Sequence, residues 1–103
     1  MSKYLFVYHG GSTPETEEEG AKVMAAWGAW MGGLGAAIVD GGAPVGMSKT
    51  VSAAGTADDG GANPASGYTI IEAADQDAAC AMAAGCPIHD SGGSVEVAEI
   101  LPM

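Results

Sequence analysis

Arginine is absent from the 103-residue sequence, and three lysines stand against 13 aspartates and glutamates. A nucleic-acid groove needs several cations to displace the counterions of a phosphate backbone, and Lys3, Lys22 and Lys49 are too few. The same scarcity excludes docking on anionic lipid and cationic clamps around large phosphorylated ligands. Long apolar runs are also lacking, so no segment has the length of a membrane-spanning helix. The opening run, residues 1–8, is too short for the apolar core of a signal peptide. These absences predict a soluble, cytoplasmic protein without nucleic-acid or membrane partners. The two cysteines, Cys80 and Cys86, have neither metal-knuckle nor redox spacing and read as free thiols, with no metal or cofactor implied.

What the sequence does have is an apolar fraction of 48%, 17 glycines and a formal charge of −10. That apolar fraction is enough for a packed core, and the length suits one domain over residues 1–103. Residues 3–9 are dense in β-formers, with Tyr4, Phe6 and Tyr8 on one face and Leu5, Val7 and His9 on the other. Both faces are largely apolar, which predicts a central strand. Pro14 and the Thr16 to Glu19 spacing mark a helix start, and Val23, Met24, Trp27, Trp30, Met31 and Leu34 form its apolar stripe. Gly32, Gly33 and Gly35 are expected to stop it.

Residues 36–40 read as a short buried strand ending at Gly41 and Gly42. The alternation over 45–51 fits either a continuation past a bulge or a separate hairpin arm, and residues 53–66 have loop chemistry throughout. A strand over 67–73, a helix over 76–84 capped by Asp75, and a strand over 94–101 complete the pattern. The order β-α-β-β-α-β predicts an α+β, ferredoxin-like split βαβ with two helices on one face of an antiparallel sheet. The other face stays too apolar for a monomer, which predicts a homodimer packed sheet against sheet.

Four phrases in order carry a family likeness: residues 24–31 (MAAWGAWM), 35–42 (GAAIVDGG), 66–73 (SGYTIIEA), and 85–97 from Gly85-Cys86-Pro87 to Val95-Glu96-Val97. Together they span nearly the whole chain and resemble the YCII-related (DGPF-type) family. The resemblance implies a dimeric α/β barrel and a small-molecule enzyme using a His–Asp pair. Members nearer the founding type carry a histidine in the first helix; here Trp27 lies in that stretch.

In the expected fold the ends of the first two strands and the starts of the last two meet at one sheet edge. His9, Asp40 and the loop 86–93 would gather there. An imidazole titrates near neutrality, so His9 is the candidate general acid/base and Asp40 the carboxylate that orients it. Elimination or isomerisation would fit. The plainer alternative is that His9 bonds a loop carbonyl while Asp40 serves the Gly41-Gly42 turn. His89 and Asp90 form a second candidate pair, or simply a solvated turn. Trp27, Trp30, Cys86 and His89 are the candidate ligand-binding residues; the two tryptophans could equally be core. The run His9-Gly10-Gly11-Ser12 between strand and helix lacks the lysine and the glycine spacing of a phosphate loop. Two function classes stay open: a proton-transfer enzyme, and a non-enzymatic ligand sensor or accessory module.

Overall fold

A computed structural model of the chain describes residues 1–102. Strand β1 (Ser2–His9) leads into helix α1 (Glu17–Leu34), then β2 (Ile38–Pro44), a hairpin of β3 (Thr50–Ser52) and β4 (Gly55–Ala57), β5 (Ala65–Ala73), α2 (Gln76–Ala84) and β6 (Ser94–Ile100). The four long strands form one antiparallel sheet in the order β2-β5-β1-β6, with β1 central. This is the α+β arrangement that the element order implied. Both helices lie on the face carrying Tyr4, Phe6 and Tyr8, which are buried with Ile71, Ala73, Ala79 and Ala83.

The helix starts follow local chemistry. Thr16 caps α1 by accepting from the Glu19 amide at 3.1 Å, and Glu19 reaches back to the Glu15 amide at 3.1 Å. Glu17, Glu18 and Glu19 occupy the first turn, where the helix dipole favours them. Asp75 caps α2 through the Ala78 amide at 2.8 Å. Helix α1 runs through Gly32 and Gly33 and ends only where Gly35 takes a φ of 54°.

Helix α1 has no fully buried residue. Trp30 and Trp27, with Leu34, pack it against the core. The Trp30 indole N–H donates to the Met82 carbonyl at 3.0 Å, which ties α1 to the end of α2. Its ring stacks on Phe6 with centroids 6.3 Å apart, and Trp27 meets Tyr8 edge-on at 5.0 Å.

Besides the helix stop expected at Gly32 and Gly33, two expectations about the strands need correcting. The second strand is neither buried nor ended by Gly41 and Gly42. It is the edge of the sheet, mostly exposed, and it continues to Pro44 across irregular pairing between Ile38 and Ala43. Gly42 allows this with a φ of 72°, and a Cβ there would collide with the Tyr68 carbonyl. The segment 53–66 is not loop throughout, because Gly55–Ala57 pairs with Thr50–Ser52 as an exposed arm. Of the two alternatives for 45–51, continuation fails because β2 ends at Pro44, and the hairpin arm holds only from Thr50 onward, with 45–49 in neither strand.

Gly42→Ala is expected to lower stability by at least about 3 kcal/mol, because a left-handed backbone and a backbone collision combine. Gly28→Ala, in an open helix position with nothing near its missing Cβ, is expected to raise it by about 0.5–1 kcal/mol. Urea denaturation of both variants checks the pair.

Candidate functional site

The sheet edge where β1 and β2 end does gather chain segments. Gly10 and Gly11 follow β1 and lie against Gly93 and Ile88, so closely that a Cβ on Gly93 would stand 2.7 Å from the His9 carbonyl and 3.0 Å from the Gly11 amide nitrogen. The bulge of β2 approaches from the other side. Between these segments, α1 and the sheet lies a cleft of about 650 Å³. Trp27, Met24 and Met31 form its helix wall, and Tyr8, Gly67 and Thr69 its sheet wall. Small residues at the sheet keep it open: a Cβ on Gly67 would sit 3.1 Å from the Ala43 carbonyl and 3.2 Å from the Tyr8 ring.

A three-member hydrogen-bond chain crosses the cleft wall. Tyr8 Oη lies 2.7 Å from Thr69 Oγ1, and Thr69 Oγ1 donates to the Gly41 carbonyl at 3.0 Å. The register passes from Asp40 opposite Ile70 to Ala43 opposite Tyr68. Gly41 thus lies in the irregular stretch, and its carbonyl takes the Thr69 hydroxyl. Burial pushes the Tyr8 phenol up to about 12, so it stays neutral throughout the physiological range. The residues lining this cleft include no lysine, histidine, aspartate or glutamate.

His9 lies on the other face of the sheet. Its Nε2 is 2.9 Å from Glu96 Oε1, and its Nδ1 is 3.2 Å from the Pro64 carbonyl. The His9 side chain is only 12% exposed, while that of Glu96 is 64% exposed. Both ring nitrogens face acceptors, and only the imidazolium can donate to both. The Glu96 hydrogen bond accordingly raises the His9 pKa above 6.5, the Pro64 carbonyl adds to that rise, and partial burial opposes it.

The expected His9–Asp40 pair does not form. Asp40 Oδ1 accepts from the Gly42 amide at 2.8 Å, serving its own turn. Register puts Asp40 opposite Ile70, which is itself opposite Leu5. His9 is two strands away and four residues further along, a separation on the order of 15 Å. The carboxylate that meets His9 is Glu96, its diagonal neighbour across β1 and β6, and that residue the sequence reading passed over. A signal was available, since Glu96 shares the face of Leu5, Val7 and His9 once β6 is placed beside β1.

The four candidate ligand-binding residues separate as well. Trp27 lines the cleft. Trp30 packs on Phe6 and closes the α1–α2 contact. Cys86 is buried in the core, where desolvation pushes its thiol up and away from nucleophilic use. His89 Nε2–H donates to the Ala83 carbonyl at 2.9 Å, near the C-terminus of α2. His89 and Asp90 belong to a 3-10 turn over Pro87–Ser91. Among the described residues no three histidine, cysteine, aspartate or glutamate side chains gather as a metal site would require. No described helix is long and apolar enough to cross a membrane.

Comparison with known families gives one finding. A family model described as the YCII-related domain matches residues 4–103, and the chain belongs to that family. No curated protein and no solved structure matches it.

The His9–Glu96 pair makes stability depend on pH. Because the folded ring holds its proton more tightly than the unfolded one, the pair's contribution is complete below about 6.5 and is lost as pH rises through the higher folded value. Wild type is expected to exceed Glu96→Gln in urea midpoint at pH 6, with the gap closing by pH 9. An equal gap at both would show that the raised value does not come from Glu96.

Proposed function

We propose that the protein binds a small organic molecule in the cleft between α1 and the sheet, as one subunit of a homodimer. One observation carries the binding reading: an apolar cleft of about 650 Å³, walled by Trp27 and Met24, holds the Tyr8–Thr69–Gly41 chain on its sheet side. Small-molecule sites have this volume and this balance, a mainly apolar lining with a few fixed polar groups. With no titratable lining residue besides tyrosine, the cleft itself lacks a general base near neutral pH. A ligand-binding module therefore fits it better than a proton-transfer enzyme.

The dimer reading rests on the opposite sheet face. Leu5, Val7, Tyr68 and Ile70 are cross-strand neighbours there. No described helix covers that face, and a second sheet would bury it. Such packing would also enclose His9 and Glu96. Their 2.9 Å contact on a nearly buried imidazole supports a second reading, proton transfer in a chamber between the two sheets.

Two measurements test these readings. Saturation-transfer NMR over a library of uncharged cyclic fragments is expected to give hits that shift the amides of Tyr8, Trp27 and Gly67. Met24 is 77% exposed, so Met24→Glu should leave the fold intact while weakening such hits about tenfold or more. Hits that ignore Met24→Glu would overturn the cleft. Sedimentation equilibrium is expected to give twice the chain mass, and Leu5→Lys to shift the population toward single chains.

A further inference from the structure

The hydrogen-bond chain in the cleft has a direction, and that direction selects the ligand. A carbonyl oxygen only accepts, so the single Thr69 hydroxyl proton is committed to Gly41 at 3.0 Å. Thr69 Oγ1 must then accept from Tyr8 at 2.7 Å, which commits the only Tyr8 proton as well. Thr69 is fully buried, and Tyr8 is 5% exposed. The fixed polar group of the sheet wall is therefore a phenol oxygen that can accept one more hydrogen bond and cannot donate one.

Charge selects in the same sense. No cation lines the cleft; of the charged residues adjoining a lining residue in the chain, Glu15, Asp40 and Asp90 are acidic and Lys22, beside Val23, is the one lysine. The nearest lysine in sequence, Lys22, faces Glu18 at 3.8 Å. A carboxylate or phosphate ester would meet the Tyr8 acceptor and find only neutral donors, such as the hydroxyls of Ser12, Thr13 and Ser91, with no cation to offset its desolvation. The side chains of Trp27, Met24 and Met31 suit a flat apolar body.

We propose that the cleft selects an uncharged, flat organic molecule bearing a hydroxyl or N–H donor, which it delivers to Tyr8 Oη. This rests on the cleft being a binding site, and the test separates the two. Three probes share one ring system: 2-naphthol carries the donor, 2-methoxynaphthalene has lost it, and 2-naphthoate carries a charge. Calorimetric titration near pH 7 is expected to rank 2-naphthol about fivefold or more above its methyl ether, with the naphthoate weakest. Tyr8→Phe is expected to abolish the gap between naphthol and ether while leaving the ether bound.

Thr69→Val provides an independent check should Tyr8→Phe fail to fold. It frees the Tyr8 proton, so the ether, which can only accept, is expected to gain affinity toward that of the naphthol. Equal binding of naphthol and ether, or tightest binding of the naphthoate, would overturn the donor rule and leave the cleft as a site. An unchanged ether affinity in a folded Thr69→Val protein would overturn the rule as well. No binding of any probe would overturn the rule and the cleft reading together.

Discussion

The molecule depends on how a helix with no fully buried residue is held against its sheet. Ordinary amphipathic docking would press α1 down along its length and fill the space beneath it. Here the attachment rests on two indole rings and Leu34. Trp30 stacks on Phe6 and donates to the Met82 carbonyl, and Trp27 stands edge-on to Tyr8. Aromatic contacts of this kind contribute roughly 0.5–1.5 kcal/mol each beyond the area they bury. They also act as spacers, since large rigid rings at one point of the interface leave the neighbouring surface apart. With only Gly67 and Thr69 on the facing strand, the gap beside Trp27 becomes a cleft.

The bulge in β2 supplies what the cleft needs besides volume. A regular edge strand would pair the Gly41 carbonyl in the ladder or turn it to water. The irregular stretch after Asp40 frees it for the Thr69 hydroxyl, and Gly42 makes the detour possible by accepting a backbone that a side chain would strain. Asp40 is used up in holding that turn through the Gly42 amide. The same local event thus removes the carboxylate from any role beside His9 and orients the polar end of the cleft. Deviations from a regular strand commonly occur next to functional sites, where they aim a group.

How far the sequence carried this is clear from particular residues. Period-two alternation in β1, helical spacing around Trp27 and Trp30, and the Asp75 cap are local signals, and the structure keeps them all. That the ends of the first two strands and the loop 86–93 would share one sheet edge followed from topology, and the structure brings Gly10, Gly41 and Ile88 to the cleft there. Side-chain partners did not, because they depend on register. The bulge hid the fate of Asp40, and Glu96 could be matched to His9 only after β6 was set in step with β1. Yet the alternation that put His9 opposite Tyr8 in facing already excluded it from a space between helix and sheet. The hairpin at 50–57 was masked by composition, since glycine, alanine and serine give strand periodicity little to show.

The sheet thereby separates two kinds of chemistry by one residue step. Tyr8 faces the helices in a wall of neutral hydroxyls and carbonyls, where burial keeps its proton in place at ordinary pH. His9, the next residue, faces the open side and shares its charge with Glu96, as Lys3 stands opposite Glu72 further along the same strand. With a formal charge of −10 and so few cations, a site that had to balance an anion would draw on lysines already beside carboxylates, such as Lys22 and Lys49. The proposed preference for an uncharged hydrogen-bond donor makes no such demand. The shortage of positive charge and the direction of the Tyr8–Thr69–Gly41 chain thus favour the proposed ligand class in the same sense.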